Sequence, residues 1–246
     1  PQQVAKDLSV EAILNGRVLQ RGDQVLLSIE LVDARTGNQL WGDQYTRRIG
    51  DLLSLQSEIA RDVSGKLKSK LTGAEEKRIA KNYTDNPEAY QLYLRARYHW
   101  NKRTEADVKK SADYFQQAID KDPTYALAYA GLAEAYILFP AYGVGPSNEA
   151  YPKAKAATLK AIEIDETLAE AHNALAAVKE NEWKFAEAEA GYQRAIALNP
   201  NYATAHQWYS EYLANMGRYS EALAEIKRAQ ELDPLSLIIN GILGVT

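Results

Sequence analysis

Histidines are the residues of this chain best suited to chemistry, because imidazole binds metals and transfers protons near neutral pH. His172 and His206 lie 34 residues apart, and His99 stands alone. The sequence contains no cysteine and no His-Glu-x-x-His motif, so a zinc site has little support. The regular spacing indicates that His172 and His206 fill one repeated structural position. We interpret them as packing residues rather than metal ligands or catalytic groups.

Other chemical motifs are incomplete. The glycine-containing stretch at 143–147 lacks the following Gly-Lys-Ser/Thr that holds phosphates, so it is predicted to be a loop. Asp and Glu are plentiful, but no pair is distinguished as an acid and base, and no Gly-x-Ser-x-Gly or kinase motif occurs. The sequence therefore predicts no catalytic residue, metal ligand or cofactor. We do not expect this chain to be an enzyme.

Composition excludes two kinds of partner. The net charge of the 246 residues is -4, without a polybasic segment, which argues against nucleic-acid binding. No apolar run approaches the roughly 18 residues that span a bilayer, so membrane insertion by this region is not expected. The chain begins at Pro1 without methionine and ends at Thr246 inside an apolar pattern. We expect it to be an excised fragment.

A 34-residue period organises the second part of the chain. Pro200 and Pro234 share this spacing, and small or polar residues repeat with it. This period is typical of helix-turn-helix arrays, whose units bury their apolar faces by stacking on one another. The repeated columns are Ala154, Ala188 and Ala222; Ala161, Ala195 and Ala229; Ala171 and Ala205; and Asp165, Asn199 and Asp233.

These columns resemble the tetratricopeptide repeat (TPR). The fourth unit matches the turn and second helix of the family at Gly217, Tyr219, Ala222, Ile226, Ala229 and Pro234, and the second unit matches its first helix at Tyr129, Leu132, Ala133 and Tyr136. Glu166 and Thr158 depart from the usual proline and aromatic residue. The resemblance implies an all-α superhelix over 87–246: four units, 87–125, 126–168, 169–202 and 203–236, each an antiparallel helix pair, and the start of a fifth.

The first 72 residues have a different pattern. Alternating apolar residues predict strands at 12–20, 24–32 and 39–47, joined by turns at Gly22 and Gly37 into an antiparallel meander. A four-residue apolar spacing from Leu55 to Leu71 predicts a helix, and a short helix is predicted at 2–8. The prediction is a small α+β domain at 1–72, a polar bridge at 73–86 and the solenoid at 87–246.

Several motifs of this α+β region recur in order in a known family. They are Ala-Ile-Leu-Asn-Gly-Arg-Val from Ala12, Glu-Leu-Val-Asp-Ala-Arg-Thr-Gly from Glu30, Leu40-Trp41, and Leu-Gln-Ser-Glu-Ile-Ala from Leu55. The region resembles the second half of the TolB amino-terminal-like domain. Combined with the TPR array, this resemblance implies the sensory or regulatory part of a bacterial protein that carries a Ser/Thr kinase, winged-helix or adenylate cyclase domain elsewhere. The cytoplasmic or extracytoplasmic location of such a membrane-anchored regulator stays open.

Ligand-groove candidates come from the TPR resemblance, because the family lines its concave surface with first-helix residues. Those positions here are Tyr90, Tyr93, Arg97, Trp100, Glu134, Asn173, Asn181, Gln207, Trp208 and Glu211. Tyr93, Ala130 and Asn173 stand where chaperone-binding members carry a lysine and asparagine clamp, so that clamp is not expected. Glu134, Glu180 and Glu211 outnumber Arg97, which favours a neutral or basic peptide or protein segment as ligand.

The predicted function is a protein-protein interaction scaffold. Two alternatives stay open: an enzyme with an active site where the α+β domain meets the solenoid, and a purely structural dimerisation arm. We also expect homo-oligomers to form through the exposed truncated ends, either by the apolar segment 235–246 or by the open edge of the sheet.

Overall fold

A computed structural model describes residues 10–48, 51, 55, 58–59, 61–63, 65 and 83–244. The chain divides into two compact units, residues 1–87 and 88–246. The helix predicted at 2–8 lies outside the described residues, as does most of the predicted bridge at 73–86.

The N-terminal unit contains a three-stranded antiparallel meander in the order β1-β2-β3. Gly22, at φ +60°, connects the first two strands. Asp33 Oδ1 accepts hydrogen bonds from the Arg35 and Thr36 amides, at 3.0 and 2.6 Å, and so holds the second turn. The predicted meander is confirmed, and each strand extends one residue beyond its predicted end. The strands are β1 (Ala12–Arg21), β2 (Gln24–Asp33) and β3 (Gln39–Arg48).

One face of β2 and β3 packs against helical residues. Ile29, Tyr45 and Leu55 form a buried apolar cluster, and Ile59 packs against it. The Tyr45 hydroxyl donates a 2.7 Å hydrogen bond to Asp62 at the edge of this cluster. Leu55 and Ile59, four residues apart, thus follow the spacing that predicts the helix, whereas Leu67 and Leu71 of that prediction lie outside the described residues.

The second unit contains nine helices within the described residues. Eight of them form four successive pairs, as the period predicts, and the ninth follows the last pair. The short connections between paired helices make the partners antiparallel. The helices are α1 (Pro87–Lys102), α2 (Glu105–Lys121), α3 (Ala126–Leu138), α4 (Ser147–Ile164), α5 (Ala169–Asn181), α6 (Phe185–Leu198), α7 (Ala203–Asn215), α8 (Tyr219–Leu232) and α9 (Leu237–Leu243).

Small residues allow these helices to approach closely. A β-carbon at Gly131 would lie 2.3 Å from the ring of Phe115, which shows that α2 and α3 touch at this point. The alanines of the two main repeat columns are all fully buried. Close packing of this kind leaves no room for larger side chains.

The histidine position has a structural role in the repeat. His172 Nε2 lies 2.8 Å from the carbonyl oxygen of Glu166, and His206 Nε2 lies 3.1 Å from that of Pro200. Asn240, a further 34 residues on, donates to the carbonyl oxygen of Pro234 at 3.0 Å. Each side chain thus ties the start of a first helix to the connection that follows the preceding second helix. No cluster of three or more metal-ligating side chains occurs among the described residues.

Candidate functional site

The first helices of the four pairs, α1, α3, α5 and α7, form a common surface that we call the first-helix face. Helix α3 contacts α5, and α5 contacts α7. Arg97 of α1 reaches Glu134 of α3. Residues one to two helical turns apart on each of these helices point to the same side. The face therefore gathers side chains that lie far apart in sequence.

Glu134 is the centre of a buried polar cluster on this face. Its side chain is fully buried and accepts a 2.7 Å hydrogen bond from Arg97 Nη1. The Tyr202 hydroxyl, which comes from the segment before α7, donates to the other carboxylate oxygen. Burial, reinforced by the charge of Glu134, raises the pKa of Glu170 nearby. The cluster connects the first two helix pairs with the segment that precedes α7, and it leaves Glu134 with no free surface for a ligand.

Trp100 lies between two guanidinium groups. The Cζ atoms of Arg97 and Arg103 lie 4.3 and 3.6 Å from its ring centroid, which is cation-π geometry. Arg103 adopts φ +53°, an uncommon conformation for a residue with a β-carbon. The indole is 3% exposed, and its Nε1 has no hydrogen-bond partner among the described residues.

An open cavity of about 550 Å³ occupies the other end of the first-helix face. Aromatic rings form much of its wall, two carboxylates and two amides supply its polar groups, and no Lys, Arg or His is among the described residues that line it. The lining residues are Ile137, Leu138, Tyr151, Ala177, Glu180, Asn181, Trp183, Phe185, Tyr192, Trp208, Glu211, Asn215 and Met216.

Short hydrogen-bond networks orient the two carboxylates. Glu180 accepts from the Tyr192 hydroxyl at 3.0 Å and from Asn215 Nδ2 at 3.3 Å. Glu211 accepts from Gln207 Nε2 at 2.9 Å. Glu211 is reached by solvent, but the surrounding protein atoms desolvate its carboxylate and raise its pKa. Glu180 adds to this effect because like charges repel.

Trp183 is the most exposed aromatic residue of the cavity. Its side chain is 80% exposed, and its ring meets that of Phe185 edge-on at 5.8 Å. Trp183 adopts φ +61° in the turn between α5 and α6. A bulky residue in this region of backbone space is strained.

The cavity brings together three of the ten predicted groove residues, Asn181, Trp208 and Glu211. Arg97 and Glu134 pair with each other, and Tyr93 packs on Phe115 and Tyr125 with centroid distances of 5.7 and 5.3 Å. Tyr90 is half-buried. The remaining three, Trp100, Asn173 and Gln207, are buried, and neither amide atom of Asn173 has a partner among the described residues.

The sequence reasoning missed the contributions from outside the first helices. Trp183, Phe185 and Tyr192 come from the turn after α5 and from α6, and Tyr151 comes from α4. One signal was available: Trp183 stands 34 residues before Gly217, at a position where a glycine is expected.

Comparisons with known proteins identify the class of the helical unit. The family model of the tetratricopeptide repeat matches residues 192–224. A thermophilic TPR protein of Thermus thermophilus superposes with a TM-score of 0.54 over 80% of this chain and 97% of that protein, at 22% identity. The helical unit therefore has the fold of a TPR solenoid.

Two further proteins are similar over parts of the chain. A protein of Rhizobium meliloti (strain 1021) named "Putative adenylate cyclase 3" is 30% identical over 132 residues, which are 54% of this chain and 22% of that protein. The chain thus spans about a fifth of that relative's length. The first TPR of Spaghetti, bound to an HSP90 peptide, is 19% identical, with a TM-score of 0.41 over 58% of this chain and 99% of that one. The resemblance of the N-terminal unit to TolB stays a prediction.

No helix within the described residues is both long enough and apolar enough to cross a lipid bilayer.

Proposed function

We propose that this chain is a protein-protein interaction scaffold that binds an extended peptide or protein segment on the first-helix face. The cavity of about 550 Å³ between α3 and the α5–α7 region carries the proposal. It is an open, aromatic-walled depression on the face where a solenoid presents its side chains, and it contains few but well-oriented polar groups.

Two exposed side chains of the cavity support binding rather than packing. Trp183 leaves four-fifths of its surface in solvent, and Met216 at the same cavity is 38% exposed. Tryptophan contributes large contact area at a low entropy cost, and methionine adapts its shape to different partners. These side chains are therefore suited to cover a bound segment.

A displayed library of random peptides, panned on the purified chain, tests this proposal. Affinities of the selected peptides are then measured for the wild type and for Trp183→Gly, which removes the exposed indole at a position where the next repeat has glycine. We expect at least a tenfold loss of affinity in Trp183→Gly. Tyr219→Ala is the matched control, because Tyr219 is 64% exposed and lies outside the cavity. If the selected peptides bind Trp183→Gly as tightly as they bind wild type, the binding surface lies elsewhere.

We also propose that the scaffold is the regulatory region of a bacterial signalling protein. The relative named "Putative adenylate cyclase 3" supports this proposal. The similar stretch is 22% of that protein, which leaves ample length for an output domain. Reading the complete open reading frame that encodes this chain is the test. A kinase, cyclase or winged-helix domain in the same frame supports the proposal, and a frame without any output domain contradicts it.

Self-association is the second candidate role. Leu235, just before α9, and Leu237, its first residue, are 73% and 87% exposed, which makes them an accessible apolar contact. A dimerisation arm would need this surface, whereas the peptide-binding scaffold needs the cavity, so the two roles can be separated by substitution.

A further inference from the structure

We propose that the cavity on the first-helix face is a specificity pocket for a lysine or arginine side chain of the bound segment. The inference rests on the proposed function and adds to it the chemical class of residue that the partner must supply. It follows from the charge of the lining, the aromatic walls and the positions of the two carboxylates.

The lining has one sign of charge. Glu180 and Glu211 are the acidic side chains among the described residues that line the cavity, and no basic side chain lines it with them. Of the cations nearby, Arg97 pairs with Glu134. Arg103 lies over Trp100, and its charge lowers the pKa of Glu211, but it does not line the cavity. A peptide carboxylate would therefore meet like charge here, whereas an ammonium or guanidinium group would meet two carboxylates.

The aromatic walls are suited to the same ligand. Trp183, Trp208 and Tyr151 line the same cavity as the carboxylates and come from different elements of the fold. The faces of tryptophan and tyrosine attract cations, and the long methylene stem of lysine or arginine packs on apolar surface while its charged end remains polar. A purely apolar side chain would fill the space but would offer neither carboxylate a charged partner.

The hydrogen bonds within the cavity leave acceptor capacity for such a ligand. Glu180 accepts from Tyr192 and Asn215, and Glu211 accepts from Gln207. Each carboxylate can accept about four hydrogen bonds. Burial raises the pKa of Glu211 and Glu180 adds to the rise, whereas the hydrogen bond from Gln207 and the charge of Arg103 lower it. The N–H groups of a bound lysine or arginine would donate to the unused acceptor positions of both carboxylates.

The test uses peptides selected by panning, without bias, on the wild-type chain. We expect lysine or arginine to be enriched at one position of the selected peptides. Replacing that residue by glutamine should weaken binding to wild type at least tenfold, but should change binding to the double variant Glu180→Gln, Glu211→Gln less than threefold. Glu163→Gln is the control, because Glu163 is an exposed carboxylate on α4 outside the cavity. Circular dichroism confirms that each variant is folded.

Three outcomes would overturn the inference, and they separate it from the proposed function. If selected peptides lose affinity for Trp183→Gly but show no basic residue, the scaffold function stands and the specificity for a cation fails. If replacing the basic residue of the peptide by glutamine lowers the affinity for the double variant as much as for wild type, the basic residue binds elsewhere. The inference then also fails. If no peptide binds the chain at all, both the proposed function and the inference fail.

Discussion

Trp183 and Gly217 occupy the same turn in successive helix pairs, 34 residues apart, and both have positive φ, +61° and +75°. Glycine adopts this conformation without steric cost, whereas tryptophan does not. The third pair therefore retains a strained backbone while it presents an indole that is 80% exposed. A strained residue that contributes little burial suggests selection for a surface role.

Trp183→Gly should consequently stabilise the fold while it weakens binding. Relief of the left-handed strain is worth about 1 kcal/mol, partly offset by the greater freedom of glycine in the unfolded chain. We expect the urea midpoint to stay equal to that of wild type or to rise. Gly217→Ala, which places a β-carbon at the equivalent position of the next pair, should lower stability by about 1 kcal/mol. A clear loss of stability in Trp183→Gly would show that the indole packs rather than binds.

Arg97 should contribute far more to stability than the exposed arginines. Arg97→Met leaves the fully buried Glu134 with only the Tyr202 hydroxyl, and breaking a buried ion pair in this way costs about 3 to 5 kcal/mol. Arg228→Met, which removes the exposed pair with Glu231, should cost about 1 kcal/mol or less. Urea unfolding monitored by circular dichroism measures both.

A second variant separates charge from packing at this site. Arg97→Met combined with Glu134→Met replaces both charges by apolar side chains, so it should recover much of the loss. If the double variant is no more stable than Arg97→Met alone, the shape of Arg97 rather than its charge supports the helices.

The sequence predicts the helical fold well and the cavity only in part. Columns such as Ala188 and Ala222 repeat because helix pairs meet at those points, so the period alone gives the pairing. The link between Glu134 and Tyr202 could not be read in the same way, because it joins residues 68 apart through the stacking of α3, α5 and α7. The curvature that creates such a contact depends on small rotations accumulated from pair to pair.

Glu170 should make stability depend on pH in the acidic range. Its pKa is raised, first by burial and then by Glu134, so its folded pKa lies above the unfolded value. The folded state thus binds the proton more tightly, and the resulting stabilisation is complete below the unfolded pKa and is lost as pH rises through the folded pKa. Above its folded pKa, the ionised Glu170 therefore opposes folding.

Glu170→Gln tests this dependence. The amide cannot ionise, so the variant should be more stable than wild type at pH 7, and the difference should shrink as pH falls toward the ordinary glutamate pKa of about 4.3. Thermal unfolding at pH 4, 5, 6 and 7 gives the comparison. Glu163→Gln provides an exposed reference. An equal difference between wild type and Glu170→Gln at every pH would contradict the assignment.

The region around α9 should mediate self-association of this chain. Ile239 is buried against Ile226 and Ala229, whereas Leu235 and Leu237 are 73% and 87% exposed. Water-exposed leucines at the start of a helix of seven residues supply apolar area that a second chain can cover. We therefore expect the wild-type chain to form a dimer through these two leucines.

Leu235→Asp combined with Leu237→Asp tests this contact, because both side chains lie outside the core. Ile242 packs against the buried cluster, so substituting it would disturb the fold as well as the contact. Sedimentation velocity across a concentration series should show a dimer for wild type and a monomer for the double variant, with unchanged circular dichroism. Leu159→Asp, at a 50% exposed leucine on α4, is the control and should dimerise like wild type. A wild-type chain that stays monomeric at every concentration would refute the prediction. If the double variant and the control both remain dimeric, the dimer contact lies on another surface.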